Sequence, residues 1–139
     1  MICLFRLVFP SIDSYLGMIE SMQVFSILLV GNLLLAGGVA LAISINWKLG
    51  RLWRAGIDPD GPDTLISTSV YKYSRNPMFI GVAAAQLGFF LALPSIFSLV
   101  CLMIGLIALQ RQVLSEEAHL SEKFREEYDI YRTRVPRWV

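Results

Sequence analysis

"NPMFIGVAAAQLGFFLALPSIFSLVCLMIGLIALQ", residues 76–110, runs for 35 positions without a charged side chain. A bilayer core of roughly 30 Å is crossed by about 20 apolar residues as helix, so this stretch is too long for one crossing. Pro94-Ser95 interrupts it near the middle and leaves legs of 18 and 16 residues, 76–93 and 95–110. At about 1.5 Å per residue each leg nearly spans, and a few flanking residues complete the crossing. The stretch therefore predicts a transmembrane helical hairpin over 76–110 with its turn at Pro94.

A second charge-free run, Ser21 to Trp47, has 27 residues and predicts one further spanning helix over 21–47. The rest of the 139-residue chain agrees with a membrane setting. It is 55% hydrophobic with a mean hydropathy of +0.59, high for a soluble domain, and its length suggests a single domain, 1–139. Eleven of the twelve Lys and Arg lie in 48–75 and from 111 onward, and none lies at the hairpin tip. The positive-inside rule puts both basic segments in the cytoplasm and Pro94 outside. The expected architecture is all-α and integral to the membrane, with about three transmembrane helices (one plus the hairpin), a cytoplasmic loop over 48–75 and a cytoplasmic C-terminal helix over 111–139. The lipid bilayer is one partner. The net charge of +1 implies no nucleic-acid partner. Segment 1–20, with "MICLFRLVFP" broken by Pro10 and Asp13, has no small-residue cleavage site and reads as an interfacial helix or the remainder of a further crossing.

Cys3 and Cys101 give no disulfide framework, and one His makes no metal spacing, so no metal is expected. Trp47 and Trp53 flank the membrane exit of the first helix, where indoles favour the interface. "GIDPDGPD" is a loop, and Ser67, Thr68 and Ser69 are candidate caps for a short helix through Tyr71 and Tyr73.

The hairpin opens on a polar knot, Arg75-Asn76-Pro77. Asn suits the N-cap and Pro the first helical position, and Arg75 can reach lipid phosphates. The same atoms suit an anion, because a helix N-terminus presents free N–H groups and partial positive charge. In the tail, Glu117, Leu120, Phe124, Tyr128 and Tyr131 recur at spacings of 3, 4, 4 and 3 on one helix face. Such a stripe is usually packing. A carboxylate centred on it is costly unless paired. Glu116 lies on the flank, and a helix break near Ser115 would rotate it toward the stripe.

"GPDTLISTSVYKYSRNPMFIG", a hairpin, and "EEAHLSEKFREEYDIYRTRVPRW" in that order resemble the isoprenylcysteine carboxyl methyltransferase and phospholipid methyltransferase superfamily, in its bacterial branch, over about residues 45–139. The resemblance implies an integral membrane enzyme of the bacterial inner membrane that uses S-adenosylmethionine at the cytoplasmic face. The acceptor it implies is lipid-like or prenylated, with a carboxylate or amine. By motif, it places Tyr73, Arg75, Asn76, Pro77, Phe79 and Glu116 or Glu117 around the cofactor. Tyr128 and the Val135-Pro136-Arg137 segment close the site, and Arg75, Glu116 and Glu117 are its catalytic candidates. Four positions depart from the family pattern: Ser69-Val70 stand where related chains have Gly-Pro, Phe79 where they have Tyr, and Arg125 where they have Gly. Two other readings of the scaffold are a catalytically inactive accessory protein and a nicotinamide-dependent membrane reductase. The sequence does not give the oligomeric state.

Overall fold

The computed structural model describes residues 12–49 and 64–139, and all of its regular elements are helical. The "MICLFRLVFP" segment, Trp53 and the "GIDPDGPD" loop lie outside the described residues. In chain order the helices are α1 (Ile12–Leu16), α2 (Phe25–Leu49), α3 (Pro77–Ala92), α4 (Ile96–Phe124) and α5 (Glu126–Arg134). Short 3-10 turns at Glu20–Met22 and Ser69–Lys72 precede α2 and α3. Thr68 stands at the cap position of the second turn, but its side chain makes no capping bond.

Two helices, α2 and α4, are long and apolar enough to cross a membrane, and α3 is a shorter apolar helix of 16 residues. Their apolar side chains face outward. Leu33 on α2 is 64% exposed and Ile104 on α4 is 63% exposed, as lipid-facing residues are and core residues of soluble proteins are not. The chain is an all-α integral membrane protein.

Helices α2 and α3 pack antiparallel along glycines seven residues apart, Gly31 and Gly38 on one and Gly81 and Gly88 on the other. A Cβ at Gly38 would stand 2.5 Å from the Ala85 backbone nitrogen, and one at Gly88 would stand 2.7 Å from the Leu35 Cα. Inside a bilayer, burial of apolar surface gives no drive for helix association. Close backbone approach and dispersion supply it instead. Gly81, Ala85 and Gly88 thus serve a contact within the chain.

The hairpin turns at Pro94-Ser95. Ser95 caps α4 by accepting from the Ser98 N–H (3.1 Å), and the Ser98 hydroxyl accepts from the Ser95 N–H (3.2 Å), a reciprocal capping box. The N-terminal segment clasps this tip. Ile19 N–H donates to the Pro94 carbonyl and Ile96 N–H to the Gly17 carbonyl, each at 2.9 Å. Gly17 adopts φ +63°, a conformation that glycine enters without a Cβ penalty.

The tail differs from the single 111–139 helix expected. Helix α4 runs unbroken through Ser115 to Phe124, and the break falls at Arg125, with φ 44° and ψ −113°. An L-residue is strained in that region by about 1–3 kcal/mol, while glycine enters it freely. Arg125 and Ser69 (φ 58°) are the described non-glycine residues at positive φ, and they occupy the two positions where the family resemblance leads one to expect glycine. Replacing Arg125 with glycine should therefore stabilise the protein. After about 0.5–1 kcal/mol is subtracted for the greater unfolded-state freedom of glycine, the net gain is about 1 kcal/mol, read as a higher melting temperature in detergent. A lower melting temperature would mean that contacts of the arginine side chain outweigh the backbone strain.

Beyond the break, Tyr128, Tyr131 and Val135 are buried together with Leu65, Leu120 and Phe124 packed around them. The apolar stripe read from the tail is thus a packing face that folds α5 back toward the start of α3.

Candidate functional site

The polar knot and the tail meet where α3 begins. Pro77 is the first residue of α3, buried, as its missing N–H and fixed φ allow. Asn76 occupies the cap position but does not cap. Its side chain makes no hydrogen bond to the helix N-terminus. Its amide instead donates to Glu117 Oε1 (3.0 Å) and to the Arg137 carbonyl (3.3 Å). The local capping preference has lost to a charged partner 41 residues away.

Glu117 is the hub. Its carboxylate accepts from Arg137 Nε at 3.1 Å to each oxygen and from Arg137 Nη2 at 2.9 Å to Oε2. Arg75 Nη1 stands 3.6 Å from Oε2, and both of these side chains are 11% exposed. The fork of donors matches the carboxylate plane, the geometry for which Arg is suited and Lys is not. Arg75 Nη1 also donates to the Tyr128 hydroxyl at 3.4 Å. Arg75 therefore points inward, away from the lipid phosphates it could have reached. Its Nε is buried with no hydrogen-bond partner.

The C-terminal arm is laced to the knot through backbone groups. Arg75 N–H donates to the Pro136 carbonyl (3.0 Å), and the Ser74 hydroxyl donates to the Arg137 carbonyl (3.2 Å) and accepts from the Asn76 N–H (3.1 Å). Sequence reasoning missed Ser74. A Ser two residues before a helix cap position can bond the following backbone, and that was the available signal. The Tyr131 hydroxyl donates to the Tyr71 carbonyl (2.7 Å), tying α5 to the 3-10 turn.

Glu116 lies apart from this hub. Gln112 donates to its Oε1 at 2.9 Å, and burial pushes its carboxyl above the usual range against the opposing effect of that bond. Burial and then the Glu116 charge push the Tyr71 phenol up to about 12, and burial, with neighbouring phenols next, does the same to Tyr131. Burial foremost, with Glu117 next, also raises Tyr128. All three remain neutral hydroxyls near pH 7. The bond to Glu117 raises the Arg137 guanidinium and keeps it charged.

Among the expected site residues, the structure brings together Arg75, Asn76, Glu117, Tyr128 and Arg137. Phe79 is half-buried in the first turn of α3. Tyr73 is not in the cluster: it is 68% exposed, with the Lys72 ammonium 4.7 Å from its ring centroid. Among the described residues no three His, Cys, Asp or Glu side chains gather as a metal site requires. The cluster pairs two guanidiniums with one carboxylate and leaves a buried donor without an acceptor, so it is chemically fitted to receive an anion.

The sequence model of the phospholipid methyltransferase family matches residues 26–127, from the start of α2 into the first turn of α5. No curated protein and no solved structure matches the chain. The match covers well over half of the chain and takes in α3, α4 and nearly all of α2, with Arg75, Asn76 and Glu117 of the polar cluster, and the chain belongs to the phospholipid methyltransferase family.

Proposed function

We propose that the chain is an S-adenosylmethionine-dependent methyltransferase of the bacterial inner membrane, acting at the cytoplasmic face on a lipid-like or prenylated acceptor with a carboxylate or an amine. The observation that carries this reading is Arg75 Nε, a buried donor with no acceptor, in a cluster with one cation in excess. Such a donor is costly to leave unmet, and a carboxylate satisfies it. The knot and the tail carry the basic residues that the positive-inside rule assigns to the cytoplasm, which supports the proposed face.

The chemistry S-adenosylmethionine supplies when bound is a methyl group on a sulfonium. Arg75 binds the cofactor's carboxylate through Nε. Glu117 fixes the Arg75 guanidinium. It also offers its oxygens to the cofactor's ammonium in place of Arg137, whose side chain is 36% exposed and so the easier partner to exchange. Asn76 and Tyr128 orient Glu117 and Arg75. Displacement at a sulfonium needs little covalent help, so these residues act by positioning and by excluding water. A carboxylate acceptor needs no base. For an amine acceptor Glu116, whose carboxyl burial raises, is the proton acceptor. The tyrosines stay protonated and serve as donors.

Binding of labelled S-adenosylmethionine to the purified protein in detergent tests this reading. Arg75→Ala should weaken binding by about tenfold or more, the equivalent of losing one charge-assisted bond of roughly 1.5–3 kcal/mol. Arg75→Lys should restore only part of it. A melting curve on each variant separates lost binding from lost folding. Normal binding by Arg75→Ala would make Arg75 structural only. If the wild type binds neither S-adenosylmethionine nor NADPH, the protein is an accessory chain on this scaffold, and binding of NADPH alone would make it a reductase.

A further inference from the structure

Helices α2, α3 and α4 line an open cleft of about 430 Å³ at membrane depth. Its walls are apolar, with Leu35 and Ile43 from α2, Val82 and Phe89 from α3, and Leu102 from α4. One amide side chain, Gln86 of α3, also lines it. Gln86 rests against Gly105 of α4, where a Cβ would stand 2.8 Å from Gln86 Oε1. That oxygen is buried and has no hydrogen-bond partner. An unmet amide is costly in any interior, and in hydrocarbon no water can meet it. The other polar side chains along the hairpin near the tip, Ser95 and Ser98, are fully used in the capping box. Gln86 has no comparable structural task.

We propose that this cleft binds the tail of a lipid and that Gln86 selects a tail bearing a mid-chain hydroxyl. The placement rests on the methyltransferase reading of the Arg75–Glu117 cluster. Val82 at the near end of the cleft is five residues from Pro77, about 7.5 Å along the helix, and Gln86 is nine residues away, about 13.5 Å. A lipid whose polar end lies at the cluster therefore lays the middle of its tail beside Gln86. A hydroxyl is the smallest group that both donates and accepts, so once the amide turns from Gly105 into the cleft it can donate to Oε1 and accept from the amide N–H groups. A plain alkyl chain fills the same space and leaves Oε1 unmet.

Calorimetric titration of the full chain in detergent with ricinoleic acid and with oleic acid, which differ by one mid-chain hydroxyl, tests the proposal. Wild type should bind ricinoleic acid about tenfold more tightly, the value of one net hydrogen bond of about 1.4 kcal/mol. Gln86→Leu, which keeps the volume and suits a membrane helix, should bind both acids equally. Equal binding by the wild type overturns the proposal without any variant, as does a preference that survives in Gln86→Leu. Dimerisation that Gln86→Leu abolishes, with no lipid preference, would assign Gln86 to a second copy of the chain and also overturn it. No methyl donor is present in the titration. A chain that prefers ricinoleic acid but fails to bind S-adenosylmethionine removes the methyltransferase reading and leaves the tail site standing, and the converse result removes only the tail site.

Discussion

Gly88→Ala should destabilise the protein by about 3 kcal/mol, at the upper end of what overpacking costs, although it adds one methyl group. The new Cβ would meet the Leu35 Cα at 2.7 Å and the Gly31 carbonyl oxygen at 2.8 Å. Both are backbone atoms of α2, so no rotamer change relieves them, and the two helices must separate. Separation forfeits dispersion contacts along the whole Gly31–Gly38 face, where the attraction between membrane helices resides. Gly37→Ala is the matched control. A Cβ there meets nothing within 4 Å, so its effect should stay within about 0.5 kcal/mol. Reversible unfolding of both variants in the same detergent checks the pair. If Gly88→Ala melts with Gly37→Ala, the α2–α3 approach is looser than described.

Glu117→Gln should cost about 3 kcal/mol, whereas Glu116→Gln should cost less than about 0.5 kcal/mol. Glu117 balances Arg75 and Arg137 and also accepts from Asn76. Neutralising it leaves the buried Arg75 guanidinium without an anion, the expensive way to break a buried pair. The figure lies at the lower end of the range for such losses because Arg137 is about a third exposed and water screens its share. The arm that carries Arg137 should then loosen from Ser74 and Asn76, which limited proteolysis near the C-terminus would report. Glu116, with a single bond to Gln112, has no such dependents. Equal losses in the two variants would mean that the acidic pair acts only through its net charge and that the Glu117 hub does not hold the arm.

The membrane helices are legible in the sequence because the bilayer imposes a length and a lack of charge that few other constraints produce. The turn at Pro94-Ser95 is legible for a related reason: proline breaks the run, and serine is a favoured cap. Helix α2 begins at Phe25, four residues inside its charge-free run, since the residues before it are drawn to the hairpin tip. The stripe through Glu117 and Tyr128 is legible as a helical period, and its aromatic members are buried as a packed face. The bend at Arg125 is invisible to periodicity because the residues on both sides favour helix, and only the family's glycine marks it. The contacts of Asn76 are the least legible. Propensity assigns its side chain to the helix beginning beside it, whereas Glu117 and the Arg137 carbonyl, 41 and 61 residues away, claim it. No local rule foresees a partner that the fold must first deliver.

The clasped hairpin tip has a consequence for bilayers of different thickness. Helix α3 has 16 residues, about 24 Å of rise, short of a hydrocarbon layer of roughly 30 Å. One end of the hairpin must therefore lie beneath the headgroups. The end with the charged Arg75–Glu117 cluster cannot sink without losing its hydration. The tip can, because Ser95 and Ser98 are fully enclosed and bonded to each other, and the Pro94 carbonyl and the Ile96 N–H are met by Ile19 and Gly17. Hydrophobic mismatch is thus taken up at the tip while the cluster keeps its depth at the water boundary. A spin label at residue 96 should lie deeper in long-chain than in short-chain phospholipid vesicles, with a label at residue 138 unmoved.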